Sequence, residues 1–268
     1  MAPNKLRLIL FTSLTLNLLA VGTAGYELHH RHGALASLKD HLAHLGPSKT
    51  PMNPDEVTYL TRETLFEKLP AREHSIVFLG DSQTANGEWG EFFPGAINRG
   101  IGGDTSAGLL KRVPVVAALR PEAVFLMIGA NDYALKIQPS ETVANIKNAV
   151  SLIRKSSPDT LVYIQGLTPT WWHRRNLFVS EVNALLKPMA DNKKTFYIDT
   201  FTPFLKGDLL SSDYSFDGLH LNGPGFIEWK QLLVPYLSRL SAANSRKSLA
   251  HASGIRIRAS VHESVGTP

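Results

Sequence analysis

"AVFLMIGAND", Ala123 to Asp132, decides the architecture. Six apolar residues in a row are too few for a helix and lack the alternation of a half-exposed strand, so they read as a strand buried on both faces. A glycine turn follows at once. The same grammar recurs on either side. Ser75 to Leu79 is a short apolar strand, Ala96 to Asn98 a minimal one, and Leu161 to Gln165 and Thr195 to Ile198 complete a set of five. Helical patterns run between them: Asp55 to Leu69, Thr105 to Arg112 ended before Pro114, and Ser140, as a cap, to about Lys155. Asn176 to Ala190 follows, and Gly225 to Leu240 closes as an amphipathic helix through Phe226, Trp229, Leu232 and Leu233. All-apolar strands alternating with helices predict an α/β fold, a parallel sheet covered on both faces.

Charge narrows the function classes. The 268-residue chain has a pI near 9.4 and a net charge of +5. Between Pro51 and Leu240, however, 19 Lys and Arg face 20 Asp and Glu, so the basic character belongs to the ends. That removes the main support for a nucleic-acid partner. There is no cysteine, hence no disulfide, thiolate nucleophile or thiolate metal site. At the N-terminus Lys5 and Arg7 precede 19 uncharged residues, Leu8 to Tyr26. This stretch is long enough to span a bilayer, and Gly22-Thr23-Ala24 offers small residues for cleavage. Residues 1–26 are therefore expected to be a signal peptide or a membrane anchor, and export follows from either. A core helix would leave the basic flank unexplained.

Residues 27–53 read as a stalk and linker. Ala34, Leu35, Leu38, Leu42 and Leu45 recur at helical spacing until Gly46-Pro47. His29, His30, His32, His41 and His44 lack the ligand spacing of a zinc site, and a solvated stalk accounts for them. Residues 54–240 form the expected catalytic domain, and 241–268 an aperiodic basic tail.

In a doubly wound sheet the chemistry gathers beyond the carboxyl ends of the strands. Four motifs fall there: "GDS" (Gly80 to Ser82), "NRGIGGDT" (Asn98 to Thr105), "GAND" (Gly129 to Asp132) and "DGLH" (Asp217 to His220). Alone, each has a bland explanation. Ser82 and Asp81 are residues that a helix start also wants, and a glycine-rich turn reverses a chain. Gly-x-Ser-x-Gly is absent, since Thr84 stands two residues after Ser82, and the glycines of "GIGGDT" have the wrong spacing for a nucleotide.

Taken together and in order, the four motifs resemble the SGNH or GDSL hydrolase family over about Ser75 to Leu240, and in particular bacterial esterases of the platelet-activating-factor acetylhydrolase type. Ser82, Gly103, Asn131 and His220 stand at the four namesake positions. The resemblance implies a flavodoxin-like three-layer α/β/α sandwich with five parallel strands ordered 2-1-3-4-5, hydrolysing esters with no metal or other cofactor. Ser82 would be the nucleophile, His220 its base, and Asp217, three residues earlier, the group that orients the imidazole. The oxyanion would meet the N–H groups of Ser82 and Gly103 and the Asn131 amide. Glycine at 103 is expected because a closely approaching N–H tolerates no side chain. Asp81 and Asp132 are expected to brace their loops.

Two features depart from the family pattern. Gln83 stands where an apolar residue is common. After the fourth strand, "TPTWWHRRN" brings Trp171, Trp172, His173, Arg174 and Arg175 near the rim. Trp171, Trp172 and Arg174 could line a sugar-stacking or acyl-covering loop, or the tryptophans could pack on a neighbouring helix. The expected protein is an exported, membrane-tethered serine esterase acting on short acyl esters, acetyl foremost, of a carbohydrate or small molecule. Acyl transfer to a glycan and non-catalytic carbohydrate binding on the same fold are the alternatives.

Overall fold

A computed structural model of the chain describes residues 53–69 and 73–240. The apolar segment Leu8 to Tyr26, the five stalk histidines and the basic tail lie outside the described residues. Helix α1 spans Pro54–Lys68 and is followed by β1, Ile76–Gly80. Two single-turn helices, α2 (Ser82–Ala85) and α3 (Trp89–Phe92), lead to β2, Ile97–Gly100. Then come α4 (Ser106–Ala117), β3 (Ala123–Met127), α5 (Pro139–Ser156) and β4 (Leu161–Gln165). Helix α6 (His173–Leu186), β5 (Thr195–Ile198), a two-residue hairpin β6 (Leu205–Lys206) and β7 (Leu209–Leu210), and α7 over residues 223–240 complete the fold.

The five long strands are all parallel and ordered β2-β1-β3-β4-β5, the order that the resemblance implies. Successive side chains alternate between faces. Phe78, Phe125, Tyr163 and Phe196 share one register line and stack across four strands with centroids 4.6–5.0 Å apart. Trp89 stacks on Phe78 at 4.0 Å, and Trp229 and Tyr236 of α7 meet this row edge-on through Trp89 and Tyr163. Val77, Leu79, Val124, Leu126, Val162 and Ile164 have the opposite parity and are also buried. Helices α4, α5 and α6 pack side by side in chain order. Both faces are covered, so strands without polar alternation are what burial requires.

Three expected boundaries are corrected. Helix α4 does not end before Pro114 but runs through it to Ala117. Proline removes one N–H, yet Pro114 is exposed, and the carbonyl it leaves unpaired can meet water while Val113, Val116 and Ala117 are buried on the other face. Ser140 is not the cap of α5. Pro139 holds the first helical position, where a missing N–H costs nothing, and Gln138 precedes it without a side-chain cap. Helix α6 begins at His173, three residues before Asn176, and ends at Leu186 with a 3-10 turn to Met189. Asn176 does not start the helix. Its side chain bonds Thr170 N, Thr170 Oγ1, Thr170 O and Asp208 O, sewing the turn after β4 to the β6–β7 hairpin.

Candidate active site

The carboxyl ends of β1, β2 and β3 and the loop before α7 converge at one rim. Asp81, not Ser82, caps α2: its Oδ1 accepts the Gln83 N–H at 3.0 Å. The Ser82 hydroxyl is thereby left to face His220 Nε2 at 2.9 Å, across 138 residues of sequence. On the other side of the ring, Nδ1 lies 2.7 Å from Asp217 Oδ2. An ionised carboxylate only accepts, so Nδ1 carries the proton and Nε2 is free to accept from Ser82 Oγ.

Asp217 stays ionised for a visible reason. Partial burial alone would raise its pKa. The hydrogen bond from His220 and the backbone N–H groups of Leu219 and His220 outweigh it and hold the carboxyl well below the usual carboxylate range. The chain reverses between these residues at Gly218, with φ +76. A Cβ there would lie 2.5 Å from the Trp171 ring, so both conformation and space demand glycine.

Gly103 and Asn131 stand at the same rim. Gly103 has φ +75, a left-handed conformation that itself favours glycine, and a Cβ there would meet no protein atom within 4 Å. Asn131 Nδ2 donates to Asp104 O at 2.9 Å. One hydrogen of the amide is used to fix its plane, and the amide has a second to offer.

Charged groups brace this rim from beneath. Arg112 and Asp104, 4% and 1% exposed, form a buried ion pair at 2.7 Å. The same guanidinium donates to Arg99 O and Gly80 O, so the ends of β1 and β2 and the Gly103 turn share one anchor. Tyr59 and Arg62 of α1 reach this turn through Asp104 and Gly100 O. Arg175 donates to Ala130 O at 2.7 Å and lies over the Tyr133 ring, holding the Asn131 turn. No motif spacing announces Tyr59 or Arg112: Tyr59 lies 45 residues from Asp104, and Arg112, eight residues from Asp104, also reaches back 32 residues to Gly80 O.

The residues after β4 separate. Trp171 sets its ring against Gly218 and donates its backbone N–H to Gly218 O at 3.0 Å, so it rests on the loop of Asp217 and His220 while remaining 38% exposed. Trp172 and Arg174 are exposed.

A parallel α/β fold with a serine, imidazole and carboxylate in line at its rim defines the class of serine hydrolases. The chain belongs to the GDSL-like lipase/acylhydrolase family, which matches residues 78–226, and it is a carboxylic ester hydrolase. It is similar to platelet-activating factor acetylhydrolase IB subunit alpha1 of Rattus norvegicus, 28% identical over 190 residues that cover 66% of this chain and 81% of the relative. The alpha2 subunit of Homo sapiens is 30% identical over 169 residues, covering 58% of this chain and 72% of the relative. Among solved structures, a GDSL-like lipase from Bacteroides thetaiotaomicron superposes with a TM-score of 0.59 at 25% identity, covering 68% of this chain and 97% of that one.

Proposed function

We propose that the protein is a serine esterase that removes short acyl groups, acetyl foremost, from a carbohydrate or similar polar alcohol. The observation that carries this reading is the unbroken line Ser82 Oγ, His220 Nε2, His220 Nδ1, Asp217 Oδ2, with links of 2.9 and 2.7 Å. Ser82 Oγ attacks the ester carbonyl while its proton passes to Nε2. The oxyanion accepts hydrogen bonds from the N–H groups of Ser82 and Gly103 and from Asn131 Nδ2. Collapse breaks the bond to the alcohol oxygen, which takes the proton from Nε2. Water then repeats the sequence on acyl-Ser82, releasing the acid and restoring the hydroxyl.

Two observations favour a small acyl group on a polar alcohol. The relatives described above are named acetylhydrolases. We assign to the alcohol the cleft of about 320 Å³ beside Gly103, which Tyr59, Glu63, Thr105 and Lys111 line and Ser82 and His220 do not; its hydroxyls and both charges suit a sugar better than an alkyl chain. We further propose that residues 1–26 export or anchor this domain, that 27–53 serve as its stalk, and that it works outside the cytoplasm. Trp172 and Arg174 extend the alcohol site.

The test combines rates and trapping. With p-nitrophenyl esters of rising chain length, kcat/KM should be highest for acetate and fall steadily, and acetylated sugars should be turned over. Protein quenched during turnover should carry acetyl on the peptide containing Ser82. An acyl group found elsewhere, or a preference for long chains, sinks the reading.

A further inference from the structure

We propose that Gln83 is a positioning residue for this chemistry: its side-chain amide grips the backbone on both sides of His220 and fixes the imidazole against Ser82. The inference rests on the assignment of Ser82, His220 and Asp217 made above. Gln83 is 3% exposed, and its amide is turned toward the loop before α7. Nε2 donates to Leu219 O at 2.6 Å and to Thr168 Oγ1 at 3.2 Å, and Oε1 accepts from Leu221 N at 3.3 Å. Both donors and the acceptor are thus engaged. The opposite amide orientation would set NH₂ against an N–H and oxygen against a carbonyl, so the network specifies this one.

The other ties of the His220 backbone are local. Its N–H goes to Asp217 Oδ1, and its carbonyl accepts from Ser215 Oγ. Those partners lie within five residues, so they shape the loop but travel with it. Gln83 differs because it is the residue after Ser82, on the same helical turn. Its grip puts nucleophile and base in a common frame although 138 residues separate them. An apolar residue at this position would satisfy burial but make none of these bonds.

A displacement of the base by an ångström costs on the order of 10²-fold in rate. In the full-length enzyme, Gln83→Met should therefore lower kcat about 10- to 100-fold per folded molecule and leave KM within about twofold. Near-ultraviolet circular dichroism gives the folded fraction. Gln83→Glu is the sharper variant. Its carboxylate would oppose Leu219 O, whereas its protonated form again offers one donor and one acceptor in the same shape. Asp81, His220 and Asp217, the charged neighbours, would also feel a carboxylate at 83. Gln83→Met adds no charge and should give a flat pH profile relative to wild type, so it serves as the control for the ratio of Gln83→Glu to wild-type kcat. That ratio should rise toward one as the pH is lowered, between about 9 and about 5.

Wild-type kcat in Gln83→Met, or a Gln83→Glu ratio that stays low and flat throughout, overturns the proposal. Ser82→Ala in the same assay separates the two readings. Full activity there removes the nucleophile assignment itself. An inactive Ser82→Ala beside a fully active Gln83→Met removes only the role of Gln83.

Discussion

After β1 the chain reads Gly80-Asp81-Ser82, and after β3 it reads Gly129-Ala130-Asn131-Asp132. Each turn leaves a central strand at the same rim, and each holds an aspartate withdrawn from solvent. Their hydrogen bonding differs. Asp132 is saturated: Oδ1 accepts from Ser106 N, and Oδ2 accepts from Ser106 Oγ and Thr142 Oγ1. It staples the start of α4 and the first turn of α5 to the turn that carries Asn131. Asp81 has one bond, from Gln83 N, and its Oδ2 has no hydrogen-bond partner. Burial, opposed by the Gln83 bond, pushes this carboxyl up to about 7. One turn is rigidly bonded around a group that must stay still. The other keeps an undersatisfied acid beside Ser82, the proposed nucleophile.

The largest expected effect lies in the first turn. Ser82→Ala removes the bond-forming atom, and kcat should fall by at least about 10⁴-fold with the fold retained, because Asp81 and not the serine caps α2. Asn131→Ala removes one oxyanion donor from the second turn and should cost about 10²–10³-fold in kcat with little change in KM. Steady-state kinetics on p-nitrophenyl acetate read both. If Asn131→Ala were as damaging as Ser82→Ala, the amide would be doing more than stabilising an oxyanion.

The aspartates then test the comparison through stability. Asp132→Ala strands three buried donors and should lower the free energy of unfolding by about 3 kcal/mol, measured in urea at neutral pH. Asp81→Asn should do less, and its effect should depend on pH. The unfolded chain titrates this carboxyl near about 3.9 and the folded one at about 7, so between these values folding takes up a proton. Stability from this uptake is complete below the unfolded value and is lost as the pH rises through about 7. Asparagine keeps the oxygen that caps Gln83 and does not titrate. From about pH 5 to about pH 8 the wild type should therefore lose about 3 kcal/mol more than Asp81→Asn. Parallel stability curves would show that Asp81 titrates normally and that the two turns are alike.

The expected site residues and their supports were unequally legible in the sequence. Sheet type can be read because fully apolar runs such as Ala123–Met127 report burial on two faces by themselves, whereas the strand order came only from the family resemblance, since no run names its neighbours. Ser82 and His220 announce themselves through short motifs, since the turns that hold them are local. Gln83, Arg112 and Arg175 could not be read. Their partners, Leu219 O, Gly80 O and Ala130 O, are backbone carbonyls 32 to 136 residues away, and a carbonyl has no sequence signature. Pro114 misled for a related reason: whether proline ends a helix depends on which face it occupies, and tertiary packing decides that. Gly103 has a conformational reason that the motif did not announce, its left-handed φ of +75.

A third rim turn, after β4, gives the smallest expected effect and extends the contrast to binding. Trp171 is committed to Gly218 and belongs with the bonded supports of the site. Trp172 and Arg174 are exposed, so neither holds a reacting atom in place. If they form the outer wall of the alcohol site, their contribution appears only when the substrate is long enough to reach them. Trp172→Ala and Arg174→Ala should then raise KM for acetylated oligosaccharides about threefold each, well under the tenfold that 1.4 kcal/mol would give. Neither should alter kcat, since binding that is equal in ground and transition states does not change it. With p-nitrophenyl acetate, too small to touch the loop, both variants should match the wild type. An equal rise in KM on both substrates would mean that the substitutions disturb the turn itself, and Trp172 and Arg174 would join Trp171 as scaffold. No change on either would confine alcohol recognition to the Gly103 side of the rim, where Glu63 and Lys111 face the cleft.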